Sequence, residues 1–167
     1  MNNSFGRGEP GLRSTHLALG RALFLAVALT VFGLDRLTKY LVVAYVPDNT
    51  ERGPFLGVLW IQHLQNSCAA FSLCGPNQVA FLAISLVVVG ALLVYELQQQ
   101  GQVWVHVVLG LVWGGVLGNG FDRLLFGSVT DFLAVHWWPT FNIADSAISV
   151  GVAILAVGYL SRQRSSG

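Results

Sequence analysis

Charged residues are scarce in this chain of 167 residues: they make up 10% of the sequence, whereas hydrophobic residues make up 54%. Ordinary soluble domains carry roughly 25% charged residues, so this balance indicates that lipid surrounds much of the chain. The formal net charge is +1, which provides no broad field to attract nucleic acid or an acidic partner. The length allows one domain, and the sequence contains no internal repeat or low-complexity segment.

Cysteine is also rare: the chain has two, Cys68 and Cys74. They lie in a segment that we expect outside the cytoplasm, where oxidising conditions permit a disulfide. The simpler interpretation is that both are small apolar residues. A metal site that combines them with His63 lacks the spacing of zinc ligands. We therefore predict neither a metal nor an organic cofactor.

Long apolar runs are abundant. Four of them are about 17 to 20 residues long, which at ~1.5 Å per residue crosses or nearly crosses a ~30 Å hydrocarbon core. These runs are residues 17–34, 79–97, 103–119 and 141–160. We predict an all-α membrane protein, with one four-span bundle over residues 17–160 and terminal tails at 1–16 and 161–167.

Basic residues lie mainly near the two ends of the chain. Five of the nine are Arg7, Arg13, Arg21, Arg162 and Arg164. Because positive residues favour the cytoplasmic side of a membrane, both termini are predicted to be cytoplasmic. The polar residues 98–102 then form a cytoplasmic turn between the second and third spans.

Two longer loops, about 47–78 and 120–140, are left for the outer side. Residues 58–65 of the first loop are β-prone and have glycine and proline on both sides, so we expect a short strand or hairpin on the membrane surface. In the second loop, residues 136–139 (HWWP) are typical of an aromatic anchor at the membrane interface.

Acidic residues are few and unevenly placed. Four of the eight lie in or beside apolar runs near the predicted outer face: Asp35, Asp122, Asp131 and Asp145. An ionised carboxylate costs about 2.5 to 3.5 kcal/mol at the centre of a span, so such acids usually face a partner or a water-filled cavity.

The start of the fourth span carries a polar stripe. Asn142, Asp145, Ser146 and Ser149 recur at helical spacing on an otherwise apolar helix. A purely structural interpretation is equally open, in which Asn142 caps the helix and Asp145 is an acid of the first turn.

Asp131 precedes bulky apolar residues, which is unusual for an acid in a surface loop. If it lies beside Asp145, the two like charges cannot both ionise cheaply, and one proton is shared between them. A carboxylate pair of this kind is the machinery of aspartic proteolysis: one member activates water and the other polarises the scissile carbonyl.

The third span carries glycines at four-residue steps, a pattern that lets another helix approach closely. These are Gly110, Gly114 and Gly118. If the helix continues, Asn119 and Arg123 share one face. The simplest interpretation of Asp122 and Arg123 is a local electrostatic pair.

Asp35 and Lys39 have the spacing and order of a favourable helical ion pair, and Lys39 is the only lysine in the chain. A serine–lysine hydrolase would need a deprotonated Lys39 beside Ser72 or Ser146, but Asp35 would keep the lysine charged. A Ser/His/Asp triad is also disfavoured, because the sequence has no Gly-x-Ser-x-Gly elbow.

Five ordered blocks resemble the lipoprotein signal peptidase (signal peptidase II) family over most of residues 17–160. The blocks are DRLTK (35–39), NSCAAF (66–71), GGVLGNGFDR (114–123), VTDF (129–132) and FNIAD (141–145). One residue departs from the family pattern, since Cys68 stands where a glycine is usual. We expect Cys68 to be tolerated as a small buried residue, without an obligatory bridge to Cys74.

The resemblance implies that Asp131 and Asp145 form the catalytic pair. It also implies residues that line or brace the site: Asn66, Asn119, Asp122, Arg123 and Asn142. Asp35 and Lys39 would support the fold near the substrate. The implied architecture is a four-helix membrane bundle with a small extracytoplasmic β region.

The implied substrates are prolipoproteins that carry diacylglyceryl on a cysteine, cut on the amino side of that cysteine. The enzyme would act as a monomer in the bacterial plasma membrane, in contact with membrane lipid, with its site near the extracytoplasmic face. Two other classes remain open. One is a small proton-coupled transporter that uses Asp131 and Asp145 as a relay, and the other is a non-catalytic assembly factor whose glycine groove binds a partner helix.

Overall fold

The structure is a computed structural model that describes residues 10–67, 78–100 and 102–165. This part of the chain forms four long helices and one four-stranded antiparallel sheet. The helices are α1 (Pro10–Tyr45), α2 (Gln78–Gln98), α3 (Val103–Phe126) and α4 (Ile143–Ser165). The strands are β1 (Glu51–Phe55), β2 (Leu59–Asn66), β3 (Val129–Val135) and β4 (Trp138–Phe141). Cys68 and Cys74 lie outside the described residues.

All four helices are long and apolar enough to cross a membrane, with mean hydropathies between 1.5 and 2.4. They extend beyond the predicted runs. Helix α1 continues from residue 34 through Asp35 and Lys39 to Tyr45, and α3 continues past residue 119 to Phe126. The apolar pattern breaks at these charged residues, but the helices do not end there because the charges are paired inside the bundle. Helices α1 and α4 also cover parts of the predicted tails, residues 10–16 and 161–165.

Helix α3 lies at the centre of the bundle, where glycines bring its neighbours close. A Cβ atom at Gly114 would lie 2.6 Å from the carbonyl oxygen of Ala28 on α1. On another face, a Cβ at Gly115 would lie 2.6 Å from the carbonyl oxygen of Ala144 on α4. The predicted close approach at the glycine steps is confirmed for α1, which contacts Gly110, Gly114 and Gly118. The close approach of α4 uses Gly115, which was not among the predicted steps.

The sheet has the order β1-β2-β3-β4. The predicted strand at residues 58–65 is confirmed as β2, which pairs with β1 in a hairpin. Strands β3 and β4 occupy the segment that we predicted as a loop with an aromatic anchor. The antiparallel register places Leu64 opposite Asp131 and Asn66 opposite Val129. The sheet therefore joins the two segments that we predicted to be outer loops, beside the ends of α1, α3 and α4.

A buried polar contact joins α2 and α3 at the end of the bundle away from the sheet. His106, near the start of α3, places Nδ1 2.6 Å from Oε1 of Glu96, near the end of α2. Both side chains are almost fully buried. The ring of His106 packs against Gly20 of α1, where a Cβ would lie 2.4 Å from the ring. This pair joins α1, α2 and α3 at the end of the bundle opposite Asp35 and Lys39.

Candidate active site

Asp145 occupies the third position of α4 and takes part in the cap of that helix. The side-chain Oδ1 of Asn142 accepts the N–H of Asp145 at 2.9 Å. In return, Oδ2 of Asp145 accepts the N–H of Asn142 at 3.3 Å. This reciprocal arrangement is a capping box, so Asn142 is the predicted cap and Asp145 the predicted first-turn acid. The cap also fixes the direction in which the Asp145 carboxylate points.

Asp131 lies on β3 and is only 3% exposed. Two side-chain amides reach its carboxylate: Nδ2 of Asn66 donates to Oδ2 at 2.7 Å, and Nδ2 of Asn142 donates to Oδ1 at 2.7 Å. Burial raises the pKa of Asp131 from 3.8 to about 6, and the charge of Asp145 adds to the rise, whereas the two amide hydrogen bonds oppose it. An acid with this pKa holds its proton far more readily than an ordinary aspartate does.

Asn142 connects the two aspartates directly. Its side-chain amide donates to Asp131 and its backbone N–H donates to Asp145. Asn142 is fully buried, and its orientation is determined because its oxygen must accept the backbone N–H of Asp145. The structure therefore brings together Asp131 and Asp145, which are separate in the sequence, around one fixed asparagine.

Asn119 of α3 also holds the carboxylate pair, through a hydrogen bond to Asp145. Its Nδ2 donates to Oδ1 of Asp145 at 2.7 Å, while its Oδ1 accepts from Nζ of Lys39 at 2.8 Å. Its Oδ1 also accepts from Nδ2 of Asn142 at 3.1 Å. Because each carboxylate accepts two N–H groups, the pair is held by four hydrogen bonds from Asn66, Asn119 and Asn142.

Asp35 and Lys39 form the predicted ion pair on α1, with Nζ 2.8 Å from Oδ2. Asp35 is fully buried, and its other oxygen accepts the N–H of Ala144 in α4 at 3.1 Å. Lys39 is 3% exposed, and its three donors reach Asp35, Asp122 and Asn119. These partners are two carboxylates and an amide rather than a serine, which argues against a serine–lysine mechanism.

Asp122 interacts electrostatically with Arg123, as predicted, but its hydrogen bonds go to other residues. Its Oδ1 binds Arg36, and its Oδ2 lies 2.9 Å from Nζ of Lys39. Its Oδ2 also accepts the N–H of Thr130 on β3 at 3.3 Å. Asp122 therefore joins α3 to the strand that carries Asp131, through Thr130 eight residues further along the chain. It also joins α3 to α1, whose Arg36 lies 86 residues earlier.

Arg123 shares a face of α3 with Asn119, as predicted, because its Nη1 donates to the Asn119 carbonyl oxygen at 3.4 Å. Its guanidinium interacts electrostatically with both Asp131 and Asp145. The side chain is half-buried. A fixed positive charge thus faces the carboxylate pair.

Arg36 was not among the predicted site residues, yet it binds both Asp35 and Asp122. The sequence does carry a signal for Arg36, because one acid and two bases lie in residues 35–39, and the second base needs an acid from elsewhere.

His63 is buried, and its Nδ1 lies 2.9 Å from the Val46 carbonyl oxygen. This contact explains His63 as a structural residue of β2.

No metal-binding group of three or more His, Cys, Asp or Glu side chains occurs in residues 10–67, 78–100 and 102–165. The residues that surround Asp131 and Asp145 are amides and cations rather than further metal ligands. The arrangement is suited to chemistry that uses water and two carboxyl groups, which needs one group to give a proton and the other to take one.

Two solved structures of bacterial membrane enzymes share this fold. One is 26% identical, has a TM-score of 0.80, and the match covers 86% of this chain and 91% of that one. The other is 27% identical, has a TM-score of 0.75, and the match covers 82% of this chain and 92% of that one. Together with four helices that can span a membrane, these likenesses define a multi-pass membrane protein.

The family can also be identified. The sequence pattern of the signal peptidase (SPase) II family matches residues 27–161. The chain is similar to the lipoprotein signal peptidase of Gloeobacter violaceus, with 42% identity over 82% of this chain and 81% of that protein. It is also similar to those of Halothermothrix orenii, with 36% identity over 84% and 97%, and Pseudomonas aeruginosa, with 37% identity over 89% and 93%. The chain belongs to the signal peptidase II family, and membership implies that it is a protease.

Proposed function

We propose that this protein is an intramembrane aspartic endopeptidase that removes signal peptides from diacylglyceryl-modified prolipoproteins. It cuts on the amino side of the lipidated cysteine. Family membership supports the substrate class. The observation that carries the catalytic type is that Asn142 donates hydrogen bonds to both Asp131 and Asp145. Two carboxyl groups held around one residue have the arrangement that aspartic proteolysis needs.

Asp131 is the proposed holder of the shared proton. Its burial raises its pKa to about 6, so it carries a proton more readily than a solvent-exposed aspartate. Asp145 is the proposed base. It is less buried than Asp131, which leaves it accessible to water.

The proposed reaction needs only a water molecule and this pair. Asp145 takes a proton from the water, whose oxygen attacks the carbonyl carbon of the residue before the lipidated cysteine. Asp131 donates its proton to the carbonyl oxygen as the tetrahedral intermediate forms. When the carbon–nitrogen bond breaks, Asp145 gives its proton to the leaving amine and a hydroxyl group of the intermediate returns a proton to Asp131, so that one proton is again shared between the carboxyl groups.

The other residues of the cluster are proposed to hold this pair in place. Asn66, Asn119 and Asn142 orient the carboxyl groups through N–H donors. Arg123 offsets the negative charge that develops near the pair. Asp35, Lys39 and Asp122 lie behind them and connect α1 to α3 and α4.

The proposed location is the bacterial plasma membrane, with both termini in the cytoplasm and the carboxylate pair near the extracytoplasmic face. The basic residues near the termini support this orientation. The proposed working unit is a monomer surrounded by lipid, since every side chain of the cluster comes from one chain.

The test uses purified protein in detergent and two forms of one synthetic prolipoprotein, one with diacylglyceryl on its cysteine and one with a free thiol. We expect cleavage of the lipidated form alone, on the amino side of the cysteine, measured by mass spectrometry of both products. Cleavage at another bond, or equal cleavage of both forms, contradicts the proposed substrate class. Proton flux through liposomes that contain the protein, without cleavage, would support the transporter instead.

A further inference from the structure

The residues directly before the two candidate catalytic aspartates are held in the same way. The N–H of Thr130, before Asp131, donates to Oδ2 of Asp122 at 3.3 Å. The N–H of Ala144, before Asp145, donates to Oδ1 of Asp35 at 3.1 Å. Each aspartate of the pair therefore follows a backbone amide that is anchored on a buried carboxylate of another helix.

One side chain connects these two anchoring carboxylates from the α1 side. Nη2 of Arg36 lies 3.0 Å from Oδ2 of Asp35, and its Nη1 binds Oδ1 of Asp122. The guanidinium lies over the ring of Phe121, 5.1 Å from the ring centre. Its side chain is 19% exposed, whereas the two carboxylates are 0% and 2% exposed. Arg36 therefore bridges Asp35 and Asp122 from the edge of the cluster.

We infer that Arg36 is a positioning residue for the carboxylate pair, which it controls through Asp35 and Asp122 without contacting the substrate. By holding both carboxylates at once, the guanidinium sets the position of β3 relative to the start of α4. This determines the separation of Asp131 and Asp145. The inference rests on the proposed function for its effect on cleavage.

Geometry explains why an arginine serves this purpose. A planar guanidinium presents donors on two sides and can bind two carboxylates in fixed directions, whereas an ammonium group acts as a compact point charge. Lys39 already occupies the interior of the cluster between Asp35 and Asp122. A second ammonium at position 36 would keep the charge but lose the fixed directions.

Charge balance gives Arg36 a second effect on the pair. The charges of Lys39 and Arg36 offset those of Asp35 and Asp122. The charged groups that interact electrostatically with Asp131 are Asp145 on α4, Arg123 on α3 and Lys39 on α1. Asp122 on α3 accepts the N–H of the preceding residue, Thr130. Without Arg36, one of the buried negative charges of Asp35 and Asp122 is no longer offset. Because a nearby negative charge favours the protonated form of a carboxyl group, Asp131 should then hold its proton to higher pH.

The first experiment compares Arg36→Gln and Arg36→Lys with Arg52→Gln, a matched change at an exposed residue of β1. Cleavage of the lipidated prolipoprotein is measured in detergent across pH, per folded molecule. We expect Arg36→Gln to lower kcat about 10- to 100-fold with little change in KM. Its activity should also persist to higher pH, by roughly half a unit to one unit. Arg36→Lys should restore the pH profile but only part of kcat.

The second measurement does not depend on activity. The protonated carboxyl of Asp131 is followed by infrared spectroscopy with labelled aspartate, and its band is assigned by its loss in Asp131→Asn. In Arg36→Gln, the titration midpoint should move to higher pH, whereas Arg52→Gln should leave it unchanged. An unchanged midpoint, or a smaller folded fraction with unchanged kcat and pH profile, overturns the inference. A shifted midpoint in a protein that cleaves no prolipoprotein refutes the proposed function and leaves the inference intact.

Discussion

Lys39 fixes the orientation of Asn119. Its ammonium lies 2.8 Å from Oδ1 of Asn119, and an ammonium can only donate hydrogen bonds. The amide nitrogen of Asn119 must therefore point the other way, where it donates to Asp145 at 2.7 Å. A buried ion pair on α1 thus determines which atom is presented to a candidate catalytic carboxylate on α4.

Asn119→Asp tests this relationship with a change of almost equal size. The new carboxylate keeps an acceptor for Lys39 but places a second acceptor against Asp145, so the N–H donor is lost. Hydrogen bonds to charged groups contribute about 1.5 to 3 kcal/mol, which predicts a kcat about 10- to 100-fold lower. The measurement is single-turnover cleavage by folded protein. Asn49→Asp, the same change in an exposed turn, should cleave at the wild-type rate, and equal rates for the two variants would contradict this role.

The raised pKa of Asp131 predicts how stability depends on pH. Between pH 3.8 and about 6 the folded protein retains a proton that the unfolded chain has released. The contribution of this group to the free energy of unfolding is therefore fully present below pH 3.8 and is lost as the pH rises through about 6. A difference of about two pKa units corresponds to roughly 3 kcal/mol.

Asp131→Asn removes this dependence because the amide does not titrate. The melting temperatures of wild type and variant should be compared in detergent from pH 4 to pH 8. We expect the difference to shift in favour of the variant as the pH rises, and to level off above about pH 6. A difference that stays constant over the whole range would show that the pKa of Asp131 is not raised.

The glycine groove of α3 predicts a large difference between two Gly→Ala variants. At Gly114 a Cβ would lie 2.6 Å from the backbone oxygen of Ala28, whereas at Gly90 on α2 nothing lies within 4 Å. Because backbone cannot move aside easily, Gly114→Ala should lower the free energy of unfolding by about 1 to 3 kcal/mol. Gly90→Ala should be neutral or slightly stabilising. Thermal unfolding in detergent measures both, and equal melting temperatures would contradict the packing of α1 against α3.

Glu96 and His106 should affect stability without affecting cleavage. The pair lies about 20 Å along α3 from Asn119 at 1.5 Å per residue, and both side chains are buried. Glu96→Ala leaves the buried His106 ring without its hydrogen-bond partner and should cost about 1 to 3 kcal/mol. Gln98→Ala, at an exposed residue of the same helix, is the matched control. A variant with wild-type stability, or one whose folded molecules cleave slowly, would contradict this assignment.

The helices could be predicted from the sequence because each one carries an apolar run long enough to cross a membrane. Their ends could not. Asp35 interrupts the first run, yet α1 continues to Tyr45 because the carboxylate is paired with Lys39 and Arg36 inside the bundle. The length of an apolar run depends only on composition, so it does not show which charged residues are paired in the folded protein.

Strand β3 could not be predicted from the sequence, for a different reason. A strand with one buried face alternates between apolar and polar residues, but β3 is covered on both faces, and its first four residues, which include Asp131, are all buried. The alternation is therefore absent. Strand β4 has only four residues and contains Pro139, which also disfavours a strand prediction.

The candidate site was predictable where local chemistry marks it and not where distant segments meet. The polar stripe at the start of α4 predicted both Asn142 and Asp145. The partners of Asp122 were not predictable in this way, since Arg36 lies 86 residues earlier in the chain. A contact over this distance depends on how α1 packs against α3, which no local pattern specifies.

The most direct test of the central claim is the turnover of Asp131→Asn, Asp145→Asn and the double variant with lipidated prolipoprotein. Asp48→Asn, in the exposed turn after α1, serves as the control, and folding of every variant is checked by thermal unfolding. Because the two carboxyl groups act as a unit, each single change should lower kcat at least about 10³-fold, and the double change should cost little more. Near-normal turnover in either folded single variant would contradict a mechanism that uses both aspartates.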